Sequence, residues 1–190
     1  MPLPIFKPDK WNKNPYIRKS HNCYAYFLNK TSRRFQRKCK QTKKGYHCRR
    51  PQPGYAAGYK PIKDISKYTC KNIEKRMFAD NPHLIKTTRC KHCPRGYYKG
   101  ALVIASKPKN KVDTYHFYRQ DNNGRWSHKD GYGYATNKDA KGKVIYDPKT
   151  CNRTYKKGKV YDRFCGYYCV PSSANKKRFQ INKEQTKNGV

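Results

Sequence analysis

Three side chains in this sequence have the types and the order that nucleophilic catalysis requires. Cys23 lies at the start of a predicted short helix, and His116 and His128 lie in a predicted β-hairpin. The N-terminus of a helix stabilises a thiolate, which makes a cysteine at that position a better nucleophile. His116 would take the proton from Cys23, and His128 would orient His116. The sequence therefore predicts a cysteine hydrolase site, and the alternative is that Cys23 is a buried structural cysteine or a disulfide partner.

The register of the hairpin decides whether the two histidines can act together. Residues 115–129 alternate aromatic and polar side chains around a turn-forming Asp-Asn-Asn-Gly sequence. If the loop is Asn122 to Gly124, with Gly124 in the left-handed conformation, the even-numbered residues share one face. A loop of two residues would place the histidines on opposite faces. The three-residue loop predicts a face that carries His116, Tyr118, Trp126 and His128.

Two helices are predicted around this hairpin. The first covers residues 20–31 and carries the nucleophile, with Ser20 or Asn22 as its cap. The second covers residues 64–80, with Asp64 as its cap and a packing role only.

The remaining strands are predicted from apolar runs. Residues 96–105 are the most apolar stretch and predict the central strand, residues 143–146 a short strand, and residues 160–171 the last strand. The predicted fold class is α+β, with a small antiparallel sheet, two short helices and stabilising disulfides. The predicted organisation is an extended basic arm over 1–19, one domain over 20–171 and a basic tail over 172–190.

Composition indicates a polyanionic partner. The chain has 46 Lys and Arg against 11 Asp and Glu, a formal net charge of +35, and 18 Tyr. Such a charge favours nucleic acid, an acidic membrane surface or an acidic protein lattice as partner. The densest positive run predicts polyanion-binding residues at Arg33, Arg34, Arg37, Lys38, Lys40, Lys43, Lys44, Arg49 and Arg50.

Nine cysteines predict either disulfides or a metal site. Four disulfides would use eight cysteines and leave Cys23 free. No cofactor is expected, except that zinc is an alternative at Cys90, Cys93, Cys165 and Cys169. The full set available for disulfides or metal is Cys39, Cys48, Cys70, Cys90, Cys93, Cys151, Cys165 and Cys169.

The chain has no run of 18 apolar residues and no apolar stretch of a signal peptide at its start. Disulfides without a signal peptide are unusual in the cytosol. A virus particle, which is assembled in the cytoplasm and oxidised later, resolves this conflict.

Five segments of the chain carry a resemblance to known proteins, namely N-C-Y-A-Y-x-L-N (22–29), P-Q-P-G (51–54), Y-H-F-Y-R-Q-D-x-x-G-x-W-S-H-K (115–129), V-I-Y-D-P (144–148) and F-C-G-Y-Y-C-V-P (164–171). They resemble a family of uncharacterised proteins that occurs in bacteria and in large DNA viruses of algae and protists. The resemblance covers about residues 20–171 and implies a papain-like peptidase fold with Cys23 and His116 as its catalytic pair. The high lysine content, extra cysteines and basic arms look like features of a virion protein.

The leading prediction is therefore a structural virion component of a large double-stranded DNA virus. It would be a minor capsid or cement protein at the inner face of the capsid, stabilising the shell through basic and tyrosine-rich contacts. Its partners would be the major capsid protein, other minor capsid proteins and genomic DNA. The alternatives are a papain-like cysteine hydrolase and a protein that packs DNA without regard to sequence.

Overall fold

The protein is built on an antiparallel sheet of six strands. The computed structural model describes residues 3–42, 48–107 and 114–172. The strands lie in the order β1-β6-β2-β3-β4-β5, and β2 lies inside the sheet, which confirms the predicted central strand. Their bounds are β1 Ile85–Thr87, β2 Tyr97–Ile104, β3 Tyr115–Gln120, β4 Trp126–Lys129, β5 Ala135–Thr136 and β6 Arg163–Pro171.

The described ranges contain five α-helices rather than the predicted two. The fold class is α+β, as predicted. Short 3-10 turns cover Ile65–Lys67 and Lys156–Gly158. No helix of the described ranges has the length and apolar composition needed to cross a membrane. The helices are α1 Asp9–Asn12, α2 Pro15–Ser20, α3 Cys23–Phe27, α4 Arg33–Gln41 and α5 Cys70–Asp80.

The extended arm predicted for residues 1–19 is replaced by α1 and α2. The prolines in this segment begin a helix rather than prevent one, because Pro15 occupies the first turn of α2 and Asn14 caps it. The buried Trp11 ring lies 4.9 Å from the Tyr26 ring. This segment therefore packs on the domain itself. Of the predicted tail 172–190, only Ser172 lies within the described residues.

Three further sequence predictions need correction. The helix predicted over 64–80 is divided, because Asp64 caps only the 3-10 turn and Thr69 caps α5. Part of the basic run, where no helix was predicted, forms α4, capped by Ser32. The strand predicted over 143–146 forms only isolated bridges, one of them between Ile145 and Trp126.

The hairpin has the predicted three-residue loop. Gly124 adopts a φ of 77°, and the Asp121 N–H donates to the Arg125 carbonyl at 2.8 Å. A residue with a side chain is strained at this φ, which explains the glycine. Tyr118 pairs with His128 across the two strands. The even-numbered residues, including both histidines, therefore share one face.

Aromatic packing fixes α3 against one face of the sheet. The Phe27 ring lies 4.8 Å from the Phe117 ring, and the Tyr98 hydroxyl donates to the Phe27 carbonyl at 2.7 Å. A side chain at Gly100 would collide with the Phe27 ring, so the strand approaches the helix closely there. This packing holds the first residue of α3, Cys23, beside β3.

The sheet separates two cores. The core on the α3 side contains Tyr24, Phe27 and Phe117, whereas the core on the far side contains Val103, Tyr118 and Tyr161. Each β3 side chain belongs to one or the other because successive residues point to opposite faces.

Three disulfides tie the chain together rather than the predicted four. They join Cys39 to Cys48, Cys70 to Cys165 and Cys93 to Cys169. The second of them links α5 to β6 across 95 residues of sequence. Cys23, Cys90 and Cys151 are free thiols.

Replacing both Cys70 and Cys165 by alanine should lower the free energy of unfolding by about 2 kcal/mol more than replacing Cys39 and Cys48. The longer bridge removes more loop-closure entropy from the unfolded chain, with closed loops of 95 and 9 residues. Urea unfolding of the two double variants measures the difference. Equal losses would contradict the loop-entropy explanation.

Candidate active site

Cys23 and His116 line the same pocket, which encloses about 360 Å³. It lies where β3 and β4 separate, beyond the paired residues Tyr118 and His128. Cys23 reaches it from the α3 side. His116 reaches it from the far side, where its ring stacks on Tyr161 with 5.2 Å between ring centres. The pocket therefore brings together a thiol and an imidazole from the two faces of the sheet.

A chain of hydrogen bonds fixes the tautomers of both histidines. His128 Nε2 lies 2.9 Å from the Lys138 carbonyl oxygen, which can only accept, so this nitrogen carries the proton. His128 Nδ1 is then the acceptor for His116 Nε2–H, 2.8 Å away. In the neutral His116 ring, Nδ1 consequently keeps its lone pair. The arrangement makes His116 Nδ1 a base.

Both rings are neutral at physiological pH because they are buried. Burial lowers the pKa of His116 well below its usual value, and the neighbouring His128 lowers it further. Burial also lowers the pKa of His128, although its hydrogen bond to the Lys138 carbonyl opposes this shift. Each side chain is only 2% exposed. A neutral imidazole can accept a proton, as a general base must.

The thiol of Cys23 is protonated in the resting protein. Cys23 is the first residue of α3. Asn22, one of the two predicted caps, accepts a hydrogen bond from the Ala25 N–H. Burial raises the pKa of Cys23 to about 11, and a hydrogen bond from the Phe117 N–H opposes the shift only in part. The expectation that the helix start stabilises a thiolate is therefore wrong. α3 has five residues, and the loss of hydration at a buried site outweighs the field of so short a helix.

Gln52 is a site residue that the sequence analysis missed. Its Oε1 accepts a hydrogen bond from the Tyr115 hydroxyl, and both residues line the pocket beside Cys23. This bond leaves the Gln52 amide N–H groups as donors at the pocket. The Cys23 N–H, at the first helical position, has no acceptor within α3. The signal in the sequence was the P-Q-P-G segment (51–54), which was noted only as part of the family resemblance.

Lys129 supports the opposite wall of the pocket from inside the protein. Its Nζ donates to the carbonyls of Arg18 at 2.7 Å, Asp130 at 3.2 Å and Gly131 at 2.9 Å. Asp130 and Gly131 line the pocket. The side chain is fully buried, and burial lowers the pKa of Lys129 to about 7. Lys129 thus joins the end of α2 to the pocket wall.

The zinc site considered as an alternative at Cys90, Cys93, Cys165 and Cys169 is not formed. Cys93 is bonded to Cys169, and Cys165 is bonded to Cys70, so three of the four proposed ligands are used in disulfides. Within residues 3–42, 48–107 and 114–172, no three His, Cys, Asp or Glu side chains are arranged to hold a metal ion. Of the eight cysteines predicted to serve as disulfides or ligands, only Cys90 and Cys151 are free.

The predicted polyanion-binding residues are divided between two places. Arg50 lines the pocket and stacks on the Tyr132 ring, with the guanidinium carbon 3.7 Å from the ring centre. Arg49 precedes it in the chain. Lys43 and Lys44 lie outside the described residues. Five others lie on α4, namely Arg33, Arg34, Arg37, Lys38 and Lys40.

Comparison with known proteins gives one informative match. The chain is 29% identical over 148 residues to Insoluble matrix shell protein 1 of Ruditapes philippinarum, and the match covers 78% of this chain and 80% of that protein. No protein-family model matches the chain, and no solved structure matches it.

This match corrects the functional prediction made from composition. The similar protein is named as a shell matrix protein of a mollusc, so the prediction of a virion component, a minor capsid or cement protein inside a capsid, is wrong. Positive charge, tyrosine and disulfides suit many assemblies and do not identify a virus. Disulfides were the correct part of that prediction, and six of the nine cysteines form them.

Alkylation of Cys23 should accelerate about tenfold per pH unit from pH 7 to 10, because only the thiolate reacts and the pKa is raised to about 11. Iodoacetamide labelling followed by peptide mass spectrometry measures the rate at each cysteine. A rate for Cys23 that is already maximal at pH 6 would indicate a resting thiolate–imidazolium pair and would contradict the neutral site.

Replacement of Lys129 by methionine should lower the free energy of unfolding at pH 9 by about 2 kcal/mol, because the neutral amine present at that pH has two N–H groups and the buried carbonyls that accept them lose their donor. The loss should be smaller at pH 7. The pKa of Lys129 in the folded protein, about 7, is below its value in the unfolded chain. The unfolded state therefore binds more protons between about pH 7 and 10, and the stability of the wild type rises with pH over this range.

Urea unfolding at both pH values tests this prediction. Lys75→Met, at an exposed lysine of α5, is the matched control and should have little effect at either pH. A loss for Lys129→Met that is the same at pH 7 and pH 9 would show that Lys129 does not titrate in this range.

Proposed function

We propose that this protein is a cysteine hydrolase that cleaves amide bonds of polypeptides, with Cys23 as nucleophile and His116 as general base. The observation that carries the proposal is the hydrogen-bonded series from the Lys138 carbonyl through His128 to His116, which leaves an unprotonated Nδ1 on a histidine at the pocket of a free thiol. A histidine that only filled space would not need a second histidine to set its tautomer.

The reaction begins from neutral groups. As Cys23 Sγ attacks the substrate carbonyl carbon, its proton moves to His116 Nδ1 and the carbonyl oxygen becomes an oxyanion. In the imidazolium that forms, Nε2–H still donates to His128 Nδ1, which holds the ring in place. It then returns the proton to the leaving amine, and the C–N bond breaks. A water molecule, whose proton moves to His116, then attacks the thioester carbonyl carbon. The C–S bond breaks, the acid product leaves, and His116 returns the proton to Cys23 Sγ.

Two hydrogen-bond donors would stabilise the oxyanion. The Cys23 N–H lies at the free start of α3, and the Gln52 amide is oriented by the Tyr115 hydroxyl through its other atom. Donors held in advance stabilise developing charge without reorganisation. Gln52 would therefore be a catalytic residue and Tyr115 a positioning residue.

The architecture is compatible with a papain-like hydrolase. A short helix that begins with the cysteine packs on an antiparallel sheet, and two adjacent strands of that sheet carry the histidines. The order along the chain, cysteine before the two histidines, is the order that such enzymes use.

A second candidate function is that of a structural constituent of an insoluble matrix. It is favoured by the match to Insoluble matrix shell protein 1, which extends over most of both chains. The three disulfides and the net charge of +35 would suit a stable protein held among acidic polymers. This role requires neither the thiol of Cys23 nor the histidine pair. The two functions therefore differ in their response to a single substitution.

The variant Cys23→Ala should abolish hydrolysis of an unstructured polypeptide, and His116→Ala should lower kcat by about a thousandfold or more. His128→Ala should lower kcat less than His116→Ala does and should shift the pH profile of kcat, since His128 acts through His116. Product peptides are quantified by mass spectrometry. Cys90→Ala removes an exposed free thiol and is the matched control, with activity retained.

The contrary result is equally specific. If the wild type hydrolyses no polypeptide, or Cys23→Ala is as active as the wild type, the hydrolase proposal fails. Retention of Cys23→Ala in an insoluble matrix fraction, with no hydrolysis by the wild type, would support the structural role instead.

A further inference from the structure

A second surface of the protein, on α4, carries a row of exposed cations. Arg33, Arg37 and Lys40 follow one another at intervals of four and three residues, and all three side chains are exposed. Residues at these intervals share one side of an α-helix, within about 60° of arc and about 10 Å along the axis. These three residues are called the α4 face below. None of them lines the pocket that contains Cys23.

The protein does not neutralise the charge of the α4 face. The sequence has no Asp or Glu between Asp9 and Asp64, although Lys and Arg recur throughout that stretch. Within the part of the chain that the structure describes, none of the three side chains forms an ion pair. The α4 face is therefore open to an anion from solution.

The same charges oppose formation of the helix that carries them. The first turn of α4 contains Arg33 and Arg34 and no acid, although the N-terminus of a helix favours anions. Arg33 and Arg37 also form a like-charge pair four residues apart, and such pairs destabilise a helix. An anion bound along the α4 face would remove both penalties.

Contacts at the two ends of α4 hold the helix in place despite this repulsion. The Ser32 side chain caps the helix, and the Ser32 N–H donates to Nε2 of the buried His21 at 2.8 Å. Burial lowers the pKa of His21 to about 4, so the ring is neutral and keeps this acceptor. At the other end, the buried Cys39 is joined to Cys48 by a disulfide. The cations of the α4 face are thus presented on a helix that is anchored at both ends.

The exposed side of α4 has little in common with a protein–protein interface. The cores of such interfaces are depleted in charged residues and enriched in aromatic ones. The exposed residues of α4 are, in contrast, Arg33, Arg37, Lys38, Lys40 and Gln41. This composition favours a linear polyanion, which needs no apolar contact, over the surface of a folded protein.

Two observations favour a polysaccharide over a nucleic acid as that polyanion. Short runs rich in Lys and Arg bind nucleic acids or polysaccharides of the heparin type. α4 has no exposed aromatic side chain on which bases could stack. Three disulfides also favour an oxidising, extracellular environment, where sulfated polysaccharides rather than nucleic acids predominate.

We propose that the α4 face binds a sulfated polysaccharide, with sulfate groups paired to Arg33, Arg37 and Lys40. A planar guanidinium group can donate two parallel N–H bonds to the oxygens of such an anion. The proposal needs neither Cys23 nor the histidine pair. It is therefore independent of the hydrolase function, and the variant Cys23→Ala should bind the polymer as the wild type does.

Titration of the full chain into fluorescein-labelled heparin, followed by anisotropy, tests the α4 face. The double variant Arg33→Gln with Arg37→Gln should weaken binding at least about fivefold at low salt, because two exposed ion pairs are lost. Binding of the wild type should weaken strongly in about 0.5 M NaCl, because salt screens exposed charges. Binding that is insensitive to salt, or to the double variant, would overturn the proposal.

The matched control is Lys71→Gln with Lys75→Gln. It removes the same charge from two exposed residues four positions apart on α5, a helix that also contains Glu74 and Asp80. This pair should leave the Kd for heparin nearly unchanged. Equal weakening by the two double variants would show that the overall charge of the protein holds the polymer, and the proposal would then fail.

Urea unfolding without the polymer separates a binding role of the two arginines from a structural one. Because Arg33 and Arg37 repel each other, their double variant should unfold at no lower urea concentration than the wild type. A lower midpoint together with weaker binding would show that the two arginines serve the helix itself, and would contradict the proposal.

Competition against labelled heparin tests the class of polymer. The competitors are desulfated heparin, which retains its carboxylates, polyglutamate and duplex DNA. Weak competition by all three supports the proposal. If any of them competes as well as unlabelled heparin does, the α4 face recognises carboxylates or phosphates rather than sulfates, and the assignment of a sulfated polysaccharide is overturned.

Discussion

The hydrogen bond from His128 Nε2–H to the Lys138 carbonyl is the interaction on which the proposed chemistry of this site depends. A carbonyl oxygen can only accept, and this fixes the proton positions on His128 and then on His116. A donor at the same place would reverse both tautomers and put a proton on His116 Nδ1, the nitrogen that accepts one in the proposed reaction. Burial of the two rings contributes the second condition, because it keeps them neutral.

The helix that carries Cys23 is held to the hairpin by a buried ionic network as well as by aromatic packing. Arg119 donates to Asp121 at 2.8 Å and to the Tyr26 hydroxyl at 3.0 Å, and it lies 4.2 Å from the centre of the Tyr26 ring. The Tyr26 hydroxyl also lies 2.7 Å from Ser127 Oγ. α3 is therefore tied to both strands of the hairpin. A buried charge whose partners are all satisfied restricts the conformations open to the chain, and here it fixes α3, which carries Cys23, relative to the hairpin that carries the histidines.

The local features of the site could be predicted from sequence because local chemistry determines them. Gly124 is needed for a left-handed turn residue, and that turn sets the register that places His116 and His128 on one face. Asn22 could be predicted as the cap of α3 for the same reason. The apolar run around Leu102 is long enough to identify the central strand.

The remaining features depend on contacts between distant segments. The Lys138 carbonyl belongs to an irregular segment, so nothing in the sequence marked it as an acceptor for His128. Burial in the folded protein raises the pKa of Cys23, whereas its position at the start of a helix alone predicted a lowered pKa. The zinc alternative arose from spacing, whereas the disulfides of Cys93 and Cys165 are formed with partners 76 and 95 residues away in sequence.

The most direct test of a reactive Cys23–His116 site is covalent trapping with a peptidyl acyloxymethyl ketone, read out by mass spectrometry of intact and digested protein. Such a reagent needs a nucleophilic thiol together with a bound peptide. The wild type should gain one adduct, located on Cys23, and His116→Ala should gain none although its Cys23 thiol can still be titrated after unfolding. Labelling confined to the exposed Cys90, or labelling of Cys23 that persists without His116, would contradict the proposed site.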